Sequence, residues 1–174
     1  VMIQLILGGA RSGKSRMAEQ TAQQLGKSVI YVATAQAGDA EMQARIQHHQ
    51  QQRPQTWQLC EEPLYLAEQL KMLDHPNAVI LVDCLTLWMS NLLMQSAENF
   101  AEQQISALLE VLPQLQTDII LVSNETGLGV VPMGEITRKF VDETGRLHQQ
   151  LGGIADKVLF CVAGFPMLLK GENQ

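Results

Sequence analysis

Along the chain, short apolar blocks alternate with longer stretches in which apolar residues recur every three or four positions. Five blocks are short, β-branched and apolar on both faces: Ile3 to Leu7, Ser28 to Ala33, Ala78 to Val82, Asp118 to Val122 and Lys157 to Ala163. Strands of that kind lie buried under helices on both sides of a sheet. Between them the spacing predicts helices over Lys14 to Leu25, Ala40 to Gln52, Leu64 to Leu73, Leu85 to Met94, Ala101 to Leu112 and Gly134 to Leu151. In the first, Ala18, Ala22 and Leu25 form one stripe, and Gly26 stands where a left-handed C′ residue belongs. Alternating strands and helices imply parallel pairing through right-handed crossovers. The expected class is α/β, a doubly wound, mostly parallel sheet with helices on both faces. No linker, repeat or composition shift divides the 174 residues, so one domain, 1–174, is expected.

Composition narrows the function. Hydrophobic residues make up 46%, enough for a packed core. Lys+Arg is 12 against 18 Asp+Glu, a formal charge of −6, which argues against a general nucleic-acid binder. It leaves room for a phosphate held by a local loop. No apolar run approaches a membrane span, and no basic region precedes the first strand, so neither a span nor a signal peptide is expected. Cys60, Cys84 and Cys161 are odd in number and widely spaced, which suggests reduced thiols in the cytoplasm rather than disulfides or zinc.

In open α/β sheets ligands bind beyond the carboxyl ends of the strands. Gly8 and its loop, Thr34 to Gln36, Asp83, Asn124 with Glu125, and Gly164 fall there. Gly8-Gly9-Ala10-Arg11-Ser12-Gly13-Lys14-Ser15 fits G-x-x-x-x-G-K-[ST], between a strand and a helix. In such a P-loop, backbone N–H groups surround phosphate oxygens, Lys14 offers its cation to the β- and γ-phosphates, and the Ser15 hydroxyl can ligate Mg²⁺. Arg11 reaches either phosphate or solvent. Asp83, closing the run Ala78 to Val82, stands at the position that holds Mg²⁺ directly or through water, or else it caps the next helix. Ser123-Asn124-Glu125-Thr126 lacks the Lys and Asp of N-K-x-D, which disfavours a regulatory GTPase. Small size favours a small-molecule transferase.

Asp39 to His49 reads as a helix with Asp39 at its N-cap. Met42, Ile46 and His49 share an apolar stripe, whereas Glu41, Arg45, His48 and Gln52 share a polar one. His49 is thus expected to pack and His48 to face out. A free imidazole titrates at about 6.5 and is a good neutral nucleophile near pH 7. Attack on phosphorus gives a phosphoramidate that passes its group on, with Arg45 one turn back to hold phosphate oxygens. Two unremarkable surface histidines are the competing reading.

Taken together, these motifs resemble the bifunctional adenosylcobinamide kinase / adenosylcobinamide-phosphate guanylyltransferase family, the CobU type. The residues that carry the resemblance are Gly8 to Arg16, Tyr31 to Gln36, Met42 to His49, Arg53-Pro54, Trp57, Glu61-Glu62-Pro63, Val82 to Thr86, Asn91 to Leu93 and Val122 to Pro132. Arg138-Lys139-Phe140, Asp142, Gly145-Arg146-Leu147 and Ala163-Gly164 extend it over nearly the whole chain. The resemblance implies a RecA-like P-loop fold, a propeller-shaped homotrimer, Mg²⁺, and GTP and ATP as co-substrates. It implies phosphorylation of adenosylcobinamide, then transfer of GMP from GTP to adenosylcobinamide phosphate through a guanylylated histidine that matches His48. Its nucleotide contacts match the phosphate loop (Gly8, Gly9, Ala10, Arg11, Ser12, Gly13, Lys14, Ser15) and Thr34, Ala35 and Gln36. They also match His49, Gln50, Gln51, Gln52, Glu61 and Asp83. Asp83 stands where some members have Glu, and Ala35 where some have Ser.

Other residues draw simpler expectations. Glu61 alone would pass for a solvated strand-end carboxylate, and Gly127 and Gly129 for a turn. Trp57, Trp88 and Tyr65 are expected in core or interface, and His75 and His148 in structural roles. The apolar helix Leu85 to Met94 fits a buried helix or a subunit interface. A kinase without a covalent histidine, and a nucleotide-binding regulatory module, are the alternatives.

Overall fold

The computed structural model describes residues 1–36 and 40–172, without the side chains of Met42, Arg45 and His49. Seven strands form one sheet: β1 (Ile3–Gly8), β2 (Ser28–Ala33), β3 (Gln58–Glu61), β4 (Ala78–Asp83), β5 (Asp118–Asn124), β6 (Lys157–Val162) and β7 (Phe165–Lys170), in the order β3-β2-β4-β5-β1-β6-β7. All neighbours pair in parallel except β6 and β7. The helices are α1 (Lys14–Gln24), α2 (Ala40–Gln52), α3 (Leu66–Leu73), α4 (Leu85–Leu93), α5 (Phe100–Val111) and α6 (Glu135–Ile154).

The period-2 alternation of β1 sorts the two layers. Ile3, Leu5 and Leu7 enter one apolar cluster with residues of α3, α4, α5 and α6. Ile6 enters the other, with Ala18 and Ala22 of α1. Small residues on α1 let its backbone lie close to the sheet. Trp88 of α4 is fully buried and donates its indole N–H to the Leu64 carbonyl at 2.8 Å, so its polar edge is satisfied as well as its rings. With Leu85, Met89 and Leu92 also buried, the apolar character of α4 is accounted for within the chain.

Two strands were not legible as such. β3 has four residues and a polar end. β7 carries Pro166 and follows Gly164, both of which look like breakers, yet an edge strand tolerates proline. Ala163 (φ 52°) and Gly164 (φ 81°) are both left-handed, as a two-residue hairpin turn requires, so β6 ends at Val162 and the chain doubles back. The expected N-cap Asp39 lies outside the described residues.

Candidate active site

The site gathers at the carboxyl edge of the sheet. β1 ends in register with Asn124 on β5 and Cys161 on β6, and its last residue, Gly8, opens the phosphate loop. A Cβ on Gly8 would stand 2.3 Å from Ser12 Oγ and 3.0 Å from the Cys161 carbonyl, so a side chain there would displace the Ser12 hydroxyl and press on β6. That Ser12 hydroxyl is buried and has no hydrogen-bond partner. Lys14 Nζ donates to the Gly9 carbonyl at 3.2 Å, folding back over the loop, and Ser15 is half-buried in the first turn of α1. Gly13 is left-handed (φ 93°), and a Cβ there would meet the Gly164 Cα at 3.1 Å, while Gly164 N–H donates to Ser12 O at 2.8 Å. The hairpin turn thus backs the loop. Arg11 is exposed and left-handed (φ 53°).

Asp83 ends β4, one strand removed from β1 across β5. Its Oδ2 accepts the hydroxyl of Tyr31, and it forms no cap on α4, whose N-cap is Cys84. Burial, and then the Asp83 carboxylate, push the Tyr31 phenol far above its ordinary range, so it remains a donor. The Arg53 guanidinium stacks over the Tyr31 ring, 3.5 Å from its centroid. The Ser15 hydroxyl and the Asp83 carboxylate, with its second oxygen left over, are hard oxygen donors. They fit Mg²⁺, which takes one or two protein oxygens and completes its shell with water and phosphate. Among the described residues no three His, Cys, Asp or Glu side chains gather into an all-protein metal cage.

Thr34 is fully buried, and its hydroxyl donates to Cys84 O at 2.6 Å and accepts from Cys84 N–H at 3.0 Å. It therefore braces the Asp83–Cys84 segment, leaving Ala35 and exposed Gln36 nearer solvent. The Asn91 amide donates to the carbonyls of Thr34 (2.8 Å) and Pro63 (3.1 Å), tying the ends of β2 and β3 to α4. Glu61 is exposed beside this junction, while Glu62 accepts the N–H groups of Leu64 and Tyr65.

On α2 the described members of the polar stripe, Glu41, His48 and Gln52, are exposed. Gln52 Nε2 lies 2.9 Å from His48 Nε2, one turn along. Gln50, Gln51 and Gln52 are exposed too, and Ile46 on the other stripe is half-buried. The side chains of His49 and Arg45 lie outside the described residues, so the packed-histidine and phosphate-arginine expectations are not resolved by the fold.

Sequence reasoning missed the Tyr31–Arg53 stack, whose only signal was an aromatic inside an otherwise aliphatic strand. His148 has the structural role expected of it, with partners the sequence did not reveal: buried on α6, its Nε2 lies 2.7 Å from Ser123 Oγ and its Nδ1 3.6 Å from Glu125 Oε2. Burial lowers the His148 pKa against the opposing pull of Glu125. Glu125 also donates its N–H to Gly8 O at 2.9 Å, so this trio sets the end of β5 against the phosphate loop. Burial raises the pKa of Cys60, Cys84 and Cys161, which disfavours their thiolates.

Residues 4–169 match the family described as cobinamide kinase / cobinamide phosphate guanyltransferase. This chain belongs to that family. It is 54% identical over 171 residues to the bifunctional adenosylcobalamin biosynthesis protein CobP of Pseudomonas aeruginosa, covering 98% of this chain and 99% of that one. It is 38% identical to the bifunctional protein CobU of Escherichia coli K12, covering 97% and 100%. CobU-family membership makes it a kinase and nucleotidyltransferase of adenosylcobalamin biosynthesis. Solved P-loop domains share the fold at low identity. The flagellar accessory protein FlaH of Methanocaldococcus jannaschii superposes with TM-score 0.55 at 14% identity, covering 99% of this chain and 82% of that one. The RadB recombinase gives 0.50 at 19%, covering 91% and 73%.

Proposed function

We propose that this one domain carries out both family reactions on adenosylcobinamide. In the first, ATP or GTP gives its γ-phosphoryl group to the hydroxyl of the aminopropanol arm. The hydroxyl oxygen bonds to phosphorus, the bridging P–O bond breaks, the nucleoside diphosphate leaves with the electron pair, and the hydroxyl proton passes to water. In the second, a His48 ring nitrogen attacks the α-phosphorus of GTP, pyrophosphate leaves, and the ring sheds a proton. The phosphate of adenosylcobinamide phosphate then takes the GMP, the P–N bond breaks, and the imidazole regains its proton, giving adenosylcobinamide-GDP.

The observation that carries this reading is an exposed His48 near the carboxyl end of a helix followed directly by Arg53, which stacks on Tyr31, the residue bonded to the Asp83 carboxylate. Within the loop, Lys14 and the backbone N–H groups hold the triphosphate, the unpartnered Ser12 hydroxyl is available to an anion, and Arg11 lies at the rim. Ser15 and Asp83 would hold Mg²⁺, which when bound offsets phosphate charge. Ala35, Gln36, His49, Gln50, Gln51, Gln52 and Glu61 are assigned to the nucleoside side, with Thr34 bracing them from behind.

A homotrimer is part of the proposal. Since α4 is buried, an interface is better sought on the exposed apolar residues Phe165, Met167 and Leu169, alternate positions of β7. A cytoplasmic setting follows from the triphosphate co-substrates and the three free thiols. Incubation with GTP labelled at the α- or the γ-phosphate tests the core. Label from the α position is expected to stay on the protein, acid-labile and base-stable, whereas γ label is not. Retention of γ label alone, or of neither, overturns the guanylyl-histidine.

A further inference from the structure

Beyond the ends of β4 and β5 lies a groove of about 390 Å³ whose walls include Thr86, Ser90 and Leu93 of α4, Asn124 of β5, and Ile136 and Phe140 of α6. Nothing in the reactions above uses it. The groove borders the phosphate site directly. Asn124 is paired in register with Gly8, and Thr86 Oγ1, three residues past Asp83, accepts the Asn124 N–H at 3.3 Å.

Three observations say what sort of ligand fits. The first is direction. Attacking and leaving oxygens lie roughly in line across a transferred phosphoryl group. The phosphate loop runs into α1, which packs on the Ile6 face of the sheet, whereas α4 and α6 pack on the Leu5 face. A leaving diphosphate held by the loop and α1 leaves the α4–α6 side, where the groove lies, open to an acceptor. The second is polarity. Thr86, Ser90 and Asn124 supply hydroxyl and amide groups, and Asn124 Oδ1 is buried without a hydrogen-bond partner. The third is the apolar rim. Ile136 is 82% exposed, and Met94, just past α4, is 80% exposed on the same groove. Such a rim suits an alcohol attached to a large, partly apolar body better than a small polyol.

The geometry points to this groove as the seat of the acceptor: the aminopropanol arm enters between α4 and α6, with the apolar edge of the corrin against Ile136. This deepens the function proposed above and rests on it. The same seat serves both reactions, since the arm's hydroxyl becomes the phosphate that later attacks the GMP phosphorus.

Ile136→Glu and Thr137→Trp test the assignment, because both positions are exposed and lie outside the nucleotide site. Adenosylcobinamide is titrated against each protein by the change in corrin absorbance, and KM for it is measured in the kinase reaction. Both variants are expected to bind it at least about tenfold more weakly, with GTP affinity and labelling from GTP alone unchanged. Unchanged cobinamide binding in both variants overturns the groove assignment. So does a change in sedimentation of the ligand-free proteins, which would give the groove to a second copy of the chain. Weakened cobinamide binding in variants of a protein that takes no α label would leave the groove standing and sink the histidine step instead.

Discussion

The loop from Gly8 to Ser15 springs from a strand paired on both sides and feeds a helix whose Ala18 and Ala22 are fully buried. Helix α2, by contrast, lies between the ends of β2 and β3 at the sheet's edge, and Ile46 is the one half-buried residue among its described side chains. The loop is held by backbone: register with β5 and β6, the Glu125 N–H on Gly8 O, the Gly164 N–H on Ser12 O. Just past the helix, a side chain makes the tie: Arg53 stacks on the Tyr31 ring. A phosphate cradle must be the same in both reactions, and preorganised donors lose nothing to rearrangement at the moment of transfer. Under the proposed mechanism, a group that takes up GMP at one moment and delivers it at another is better carried on a surface element that few packed contacts fix.

The sharpest way to break this comparison is to remove one function and keep the other. His48→Ala is expected to abolish protein labelling and guanylyl transfer while phosphorylation of adenosylcobinamide continues, and His49→Ala to keep some label. Label that survives in His48→Ala and vanishes in His49→Ala would put the nucleophile on the wrong stripe. Lys14→Ala is expected to depress both activities by about 10²- to 10³-fold in a folded protein, as loss of a charge-stabilising donor does. Normal turnover would refute its part in the cradle.

Finer changes sharpen it. Asp83→Asn is expected to raise the Mg²⁺ concentration for half-maximal activity and weaken Mn²⁺ binding followed by spin resonance. Tyr31→Phe, which removes one hydrogen bond to that carboxylate, should shift the same midpoints less, about three- to tenfold. Equal midpoints in both variants and the parent would argue that the carboxylate holds no metal.

The smallest effect lies outside the site. Asp118 is pushed up by burial, but the Lys27 ammonium at 2.7 Å and the Met2 N–H together hold its pKa below the ordinary carboxylate value. A depressed folded pKa stabilises above the unfolded value of about 4 and loses that contribution as pH falls through the folded pKa. Lys27→Met is therefore expected to cost about 1 kcal/mol near pH 7, measured by urea unfolding, and less near pH 3. A cost that does not shrink with acid would assign it to packing of the Lys27 stem.

Much of this was legible beforehand because it is written locally. The five central strands, the phosphate loop and the His48 stripe each depend on residues within a dozen positions of one another. α2 over Ala40–Gln52 and β2 over Ser28–Ala33 agree with the pattern to the residue. What escaped depends on pairs far apart in the chain. Tyr31 looks like any strand aromatic until Asp83 and Arg53 arrive beside it, and His148 looks like a helix-face residue until Ser123 does. Thr34 sits at a ligand-bearing strand end, but its hydroxyl is taken by Cys84.

The close approach of Gly13 to Gly164 has an evolutionary reading. The two positions are 151 residues apart in the chain, yet their backbones meet so closely that a methyl group on Gly13 would press on the Cα of Gly164. A side chain on Gly13 would displace the β6–β7 turn from the loop it supports, whereas one on Gly164 would meet nothing within 4 Å and is opposed only by the left-handed backbone there (φ 81°). A lineage that altered the edge hairpin would thus be altering its phosphate cradle as well. In any library built on this scaffold, the hairpin and the loop should be varied as a single cassette.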